Sequence, residues 1–156
     1  MPASQIISQY LDTTGDGTGT TNMATTADTY LFAPTRECAI SRMLIYIEDN
    51  AQVVAGNYGG LSALTNGCSV TQVSGAVTLN LHGQNTVKKN ADWARLCYDV
   101  SYTTFGSGND YVQARWTFAK SGLPLLMESG DTLNFVVADD LTGIVSHYAM
   151  IQGYYL

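Results

Sequence analysis

The sequence predicts an all-β fold, an antiparallel β-sandwich built as a single domain over residues 1–156, and three observations predict it. Apolar residues recur at every second position through most runs, the period of a strand with one buried face. Gly, Asp, Asn and Ser cut those runs into short lengths, as turns do. Helical spacing shows in one short place only. The stretch from Leu123 to Leu156, LPLLMESGDTLNFVVADDLTGIVSHYAMIQGYYL, carries the pattern most fully. Gly130-Asp131 makes a turn, and Leu133, Phe135 and Val137 then alternate with Thr132, Asn134 and Val136. Asp139, Asp140 and Gly143 turn the chain again, into a long closing strand from Ile144 to Tyr155. Such a closing hairpin is marginal alone, so the rest of the chain must supply a second sheet to cover it.

Taken in order, Gln5 to Leu11 is a first short strand, and Asp12 to Asn22 (DTTGDGTGTTN) is expected to be a mobile loop. Thr29 to Ala33 is a strand stopped by Pro34, which has no N–H to donate. In Glu37 to Glu48 the inward parity slips: Cys38 and Ile40 lie on one phase, Met43, Ile45 and Ile47 on the other. A β-bulge near Ser41-Arg42 reconciles them. Asp49 to Gly67 is a glycine-rich excursion. Cys68 to Val73 and Ala76 to His82 flank Ser74-Gly75, a two-residue hairpin signal, with Val77, Leu79 and Leu81 on one face of the second arm. Asn90 to Cys97 is the one short helical turn, capped by Asn90 with Trp93, Leu96 and Cys97 at helical spacing. Tyr98, Val100 and Tyr102 resume the two-residue period. Tyr111 to Ala119 is a strand with Val112, Ala114, Trp116 and Phe118 inward.

About eight strands without alternating helices exclude a parallel α/β sheet. Their unequal connections favour a jelly-roll sandwich over an up-and-down meander, because long loops carry the chain between two sheets. A chain of 156 residues buries about 68–70% of its unfolded surface, so no disulfide or metal staple is needed.

Charged residues make up 13%, about half the usual quarter, while hydrophobic residues reach 46%. Low charge with ten Tyr fits a surface partly covered by neighbours. A net charge of −6 argues against a nucleic-acid or phosphate partner. Cys38, Cys68 and Cys97 form no CxxC and sit in apolar runs, as buried free thiols do in a reducing compartment. The opening residues lack a charged segment followed by an apolar core, and no run approaches the about 18 apolar residues of a membrane helix. Synthesis in the cytoplasm without export or membrane insertion is expected.

No catalytic, cofactor or metal site is expected. Asp12, Asp16 and Gly17 fall at positions of a calcium loop, but Thr14 and Met23 stand where further oxygen ligands belong. Gly15, Gly17 and Gly19 lack the spacing of a dinucleotide loop. His82 and His147 are far apart with no HxH or HExxH, and each is expected to make a strand-face hydrogen bond. No GxSxG elbow exposes a serine nucleophile. Asp139-Asp140 with Glu128 or Asp131 could form an acid–base pair for glycosides, but turn chemistry accounts for Asp at such places. Lys88-Lys89, the one basic pair, reads as a solvated turn.

Tyrosine carries most of the functional content, because it is enriched at protein–protein contacts where charge is depleted. The candidate interface comprises Tyr154, Tyr155 and Leu156, whose segment has no polar tail, with Tyr58 and Tyr10. Aromatics beside turn carboxylates would equally suit a sugar-binding surface.

Five segments carry a family resemblance: YLDTTGDGTG (Tyr10 to Gly19), ISRMLIYIED (Ile40 to Asp49), ADWARLCYDV (Ala91 to Val100), ARWTFAKSG (Ala114 to Gly122) and DDLTGIVSHYAMIQGY (Asp139 to Tyr154). Together they span nearly the whole chain, and it resembles small virion structural proteins of tailed bacteriophages, notably those of marine bacteria. The resemblance implies a non-enzymatic capsid decoration protein that assembles with itself, as a homotrimer, and with the major capsid protein or other virion proteins. It leaves open a collar or tail position and a receptor- or glycan-binding role, and it supplies no catalytic residues.

Overall fold

The computed structural model describes residues 5–16, 28–49, 68–81, 99–103, 111–117, 123–137 and 144–156. Those residues form ten strands in two antiparallel sheets, with no helical element among them. The strands are β1 (Ile6–Tyr10), β2 (Asp28–Phe32), β3 (Cys38–Asp49), β4 (Cys68–Ser74), β5 (Val77–Asn80), β6 (Asp99–Thr103), β7 (Tyr111–Thr117), β8 (Leu125–Met127), β9 (Thr132–Val137) and β10 (Ile144–Tyr155). The larger sheet runs β1-β10-β3-β7-β6, with β8 on the Cys38 end of β3. The smaller runs β2-β9-β4-β5.

The pairings nest. β1 pairs with β10, β2 with β9, β3 with β8 and β4 with β5. The β10–β3 and β9–β4 ladders then lay the nested pairs side by side. This is one long antiparallel ribbon rolled over itself, the jelly-roll arrangement. The β6–β7 pair is inserted between β5 and β8 in the chain and extends the larger sheet beyond β3.

Alternation builds the interior. In β9, Leu133, Phe135 and Val137 are buried while Thr132, Asn134 and Val136 are half-exposed. Phe135 lies between Tyr30 of β2 and Val70 of β4 in register, and all three are buried. The larger sheet answers with Met43 and Ile45 of β3 beside Ile151 and Ala149 of β10. Burial of each large aliphatic or aromatic side chain contributes about 1.5–3 kcal/mol, which favours closing the two layers.

The slip in β3 is a β-bulge at the expected place. Gln152 pairs with Arg42 and Gly153 with Ile40, so Ser41 has no opposite number in β10. Cys38 and Ile40 are buried on one side of it, Met43 and Ile45 on the other. A second irregularity skips Val145 between Ile144 and Ser146.

Several expectations change. β9 and β10 do not form a closing hairpin; they belong to different sheets, because residues from both are needed on opposite walls of the interior. The count is ten strands rather than about eight, and β8 was not anticipated, since three residues after Pro124 are too few to show a period. The two-residue turn is Gly75-Ala76, one position later than Ser74-Gly75, because the Ser74–Val77 pair closes it and Gly75 takes a left-handed φ of 56°. Val77 and Leu79 share a face as expected but are exposed, β5 being the outer strand of its sheet. The segment read as a mobile loop begins with an ordered turn at residues 12–16. Asp12 Oδ1 accepts from the Thr14 and Gly15 amides at 2.9 and 2.6 Å, and Ala33 N–H donates to Gly15 O at 3.0 Å. The helical turn at Asn90 to Cys97 and residues 50–67 lie outside the described residues.

Candidate functional site

The outer face of the larger sheet carries the residues that the interior does not use. Because neighbouring strands are in register, its side chains stand in rows across β1, β10 and β3. Ser8, Gln152 and Arg42 make a polar row, in which Arg42 Nε donates to Gln152 Oε1. Next come Tyr10, Met150 and Leu44, and then Tyr148 opposite Tyr46. The last row pairs Ser146 with Glu48, whose Oε2 accepts from Ser146 Oγ at 2.9 Å and from the Tyr46 hydroxyl at 3.3 Å.

The two middle rows form a hollow of about 330 Å³ lined by Tyr10, Leu44, Tyr46, Tyr148 and Met150, each half-buried. Tyr148 anchors it. Its ring meets Tyr10 edge-on at 6.1 Å between centroids and Tyr46 at 6.5 Å, tilted by 33°. Such aromatic pairs are worth about 0.5–1.5 kcal/mol beyond their burial, which holds the rings in a fixed array before anything binds. An apolar floor between an arginine end and a glutamate end can hold a partner by burial and orient it by charge.

Four of the five expected interface residues are described, and they do not all share one place. Tyr10 enters the hollow. Tyr154 and Tyr155 lie further along β10, half-exposed, with the Arg36 guanidinium 4.4 Å from the centroid of the Tyr155 ring. Leu156 is 58% exposed, and its N–H donates to Glu37 O at 3.0 Å. Tyr58 lies outside the described residues. Leu44, Tyr46, Tyr148 and Met150 also line the hollow and were not among the expected interface residues. Their signal was available, since β3 and β10 are apolar at both parities, as strands covered on both faces are.

The remaining candidates have structural places. His147, expected to make a strand-face hydrogen bond, lies on the inward face of β10, fully buried and edge-on to Phe135 at 5.5 Å, and burial pushes its pKa down to about 3. Asp131 is a turn lock. Its Oδ2 accepts from Glu128 N–H at 3.0 Å and from the Gln72 amide at 3.3 Å, while Gln72 also donates to Leu126 O at 3.0 Å. These bonds, the Glu128 amide first, with a further one from the Ser74 hydroxyl, hold the Asp131 carboxyl below the usual range. Cys38 is a buried free thiol raised to about 11, by burial first and the Asp131 charge second. Asp12 is engaged in its own turn, and no cluster of three or more metal-ligating side chains occurs among the described residues. His82, Lys88-Lys89, Asp139-Asp140, Cys97 and the side chain of Cys68 lie outside the described residues.

No protein-family model, curated protein or solved structure matches this chain. Fold and site define a class: an all-β jelly-roll sandwich whose larger sheet carries an aromatic and aliphatic patch on its outer face besides its apolar inner one.

Proposed function

We propose that the protein is a non-enzymatic structural protein of a tailed-bacteriophage virion, a decoration or cement protein that binds the head surface through protein–protein contacts. The observation that carries this reading is the outer row Tyr10–Met150–Leu44 with Tyr148 and Tyr46, an aromatic and aliphatic surface on a rigid sheet. The resemblance to virion proteins and the low charge support it. Stable specific interfaces remove about 1,200–2,000 Å² of surface from water, and a pre-ordered aromatic floor adds to that without loss of side-chain freedom. In this role the protein strengthens a shell by buried area, with no bond made or broken. Self-association as a trimer gives three equivalent contacts to neighbouring shell subunits.

The test is co-sedimentation of the purified protein with phage heads that lack it. The unaltered protein is expected to pellet at a fixed ratio to the major capsid protein, and Tyr148→Lys to stay in solution while keeping its β circular dichroism. Native mass spectrometry is expected to give a trimer. Absence of pelleting, or pelleting unaffected by Tyr148→Lys, contradicts the proposal.

One observation favours a second reading, a receptor- or glycan-binding module or a collar or tail component. Glu48 accepts from the hydroxyl of Tyr46, whose ring in turn neighbours that of Tyr148, and a carboxylate close to aromatic side chains can hold sugar hydroxyls. A glycan array separates the two, because head binding alone leaves it blank.

A further inference from the structure

A second hollow, of about 420 Å³, opens at the edge of the sandwich away from the tyrosine rows. Three leucines from three separate elements converge on it: Leu79 of β5, Leu126 of β8 and Leu156 after β10. They are 51%, 62% and 58% exposed. Aliphatic side chains so exposed, gathered from distant parts of the chain, mark an interaction surface rather than scattered surface residues. Among the described residues, the charged ones lining the hollow are acidic, namely Glu37, Glu128 and Asp131. Asp131 is spent on its turn, but Glu37 and Glu128 are exposed. Arg36, adjacent in sequence, is turned over the Tyr155 ring and does not line the hollow.

We propose that this hollow docks an extended basic–apolar segment of another protein, with an aliphatic side chain among Leu79, Leu126 and Leu156 and Lys or Arg side chains against Glu37 and Glu128. Charge selects this occupant. A second copy of this chain, net −6, would bring an equally acidic rim against the first, and like charges across an interface are strongly disfavoured. Geometry favours an extended segment. β5 is the outer strand of the smaller sheet and pairs only with β4 among the described residues, so its free edge can take main-chain hydrogen bonds from an added strand. The proposal does not rest on the virion reading, which is carried by the tyrosine rows on the outer face of the larger sheet.

The probe is a fluorescein-labelled octapeptide alternating lysine with leucine and valine, followed by anisotropy, beside the same peptide with glutamate for lysine. The basic peptide is expected to bind with Kd in the range of about 1–100 μM and the acidic one not to bind. Leu126→Asp is expected to weaken the basic peptide at least about tenfold, although it adds negative charge, which separates docking from general attraction to an acidic protein. Glu37→Lys with Glu128→Lys is expected to weaken it as much, whereas Asp16→Lys with Asp28→Lys, the same change in net charge elsewhere, leaves most of the affinity. Equal binding by all variants, binding of the acidic peptide, or no binding overturns the proposal. So does concentration-dependent self-association that Leu126→Asp abolishes, since the occupant is then a second copy.

Discussion

Gly153 in β10 lies directly against Ile40 in β3, where a Cβ built on the glycine would come within 2.9 Å of the Ile40 Cα and closer still to the Ala39 carbonyl oxygen. The crowding follows from the bulge at Ser41. Two residues of β3 occupy the space of one in β10, and the backbones close up where only glycine fits.

Gly153→Ala is therefore expected to destabilise the protein by about 1–3 kcal/mol, because backbone rather than a flexible side chain must move. For a chain of this size that lowers the melting temperature by roughly 2–4 °C per kcal/mol, measured by calorimetry. Gly75→Ala meets no atom within 4 Å and strains only its left-handed backbone. An unchanged melting temperature for Gly153→Ala would mean that β3 and β10 are not in the register described.

His147 gives the stability a pH dependence of known sign. Folded, it takes a proton only near pH 3; unfolded, it takes one near its ordinary 6.5. Between those values the unfolded state binds more protons, so acid favours unfolding, with a slope of up to about 1.4 kcal/mol per pH unit. Urea titrations from pH 7 to pH 4 are expected to show this loss, and His147→Phe to flatten it. Parallel curves for the two proteins would contradict the buried position.

The alternation that turns Leu133, Phe135 and Val137 inward was legible in the sequence, and so was the bulge at Ser41, because both are period-two signals that burial enforces. Sheet membership was not. Alternation tells which face is inward but not which sheet holds the strand, so β9 and β10 read as a hairpin when they form opposite walls. β8 was too short for any period. For the candidate site, Tyr10 was already singled out through composition, whereas Tyr154, Tyr155 and Leu156 lie outside the hollow. The tyrosine rows were not legible, because they arise when the second parity of β3 comes into register with that of β10.

The Asp131 turn is expected to fail in acid at a lower pH than His147. Its carboxyl is held below the ordinary carboxylate pKa, so its contribution is complete above about pH 4 and disappears as pH falls through the lowered value. Asp131→Ala leaves the Glu128 amide without its acceptor and is expected to cost about 1–3 kcal/mol at neutral pH. A double-mutant cycle with Gln72→Leu is expected to give a coupling of about 0.5–3 kcal/mol, and strict additivity would show that the 3.3 Å contact contributes nothing.

Cys38 is expected to resist alkylation in the native protein at pH 8. It is fully buried and its thiol is raised to about 11, so the reactive thiolate is scarce as well as covered. Peptide mapping after iodoacetamide should find Cys38 modified in urea and unmodified without it. Rapid native modification would contradict its buried place at the start of β3.

The most direct test of the proposed virion role is immunogold labelling of purified particles of the phage proposed to encode it, using antibody raised against the folded protein. Label is expected over the surface of DNA-filled heads, at a number per particle that scales with the shell subunits. Label confined to the tail, or particles free of the protein, would contradict the role on the head.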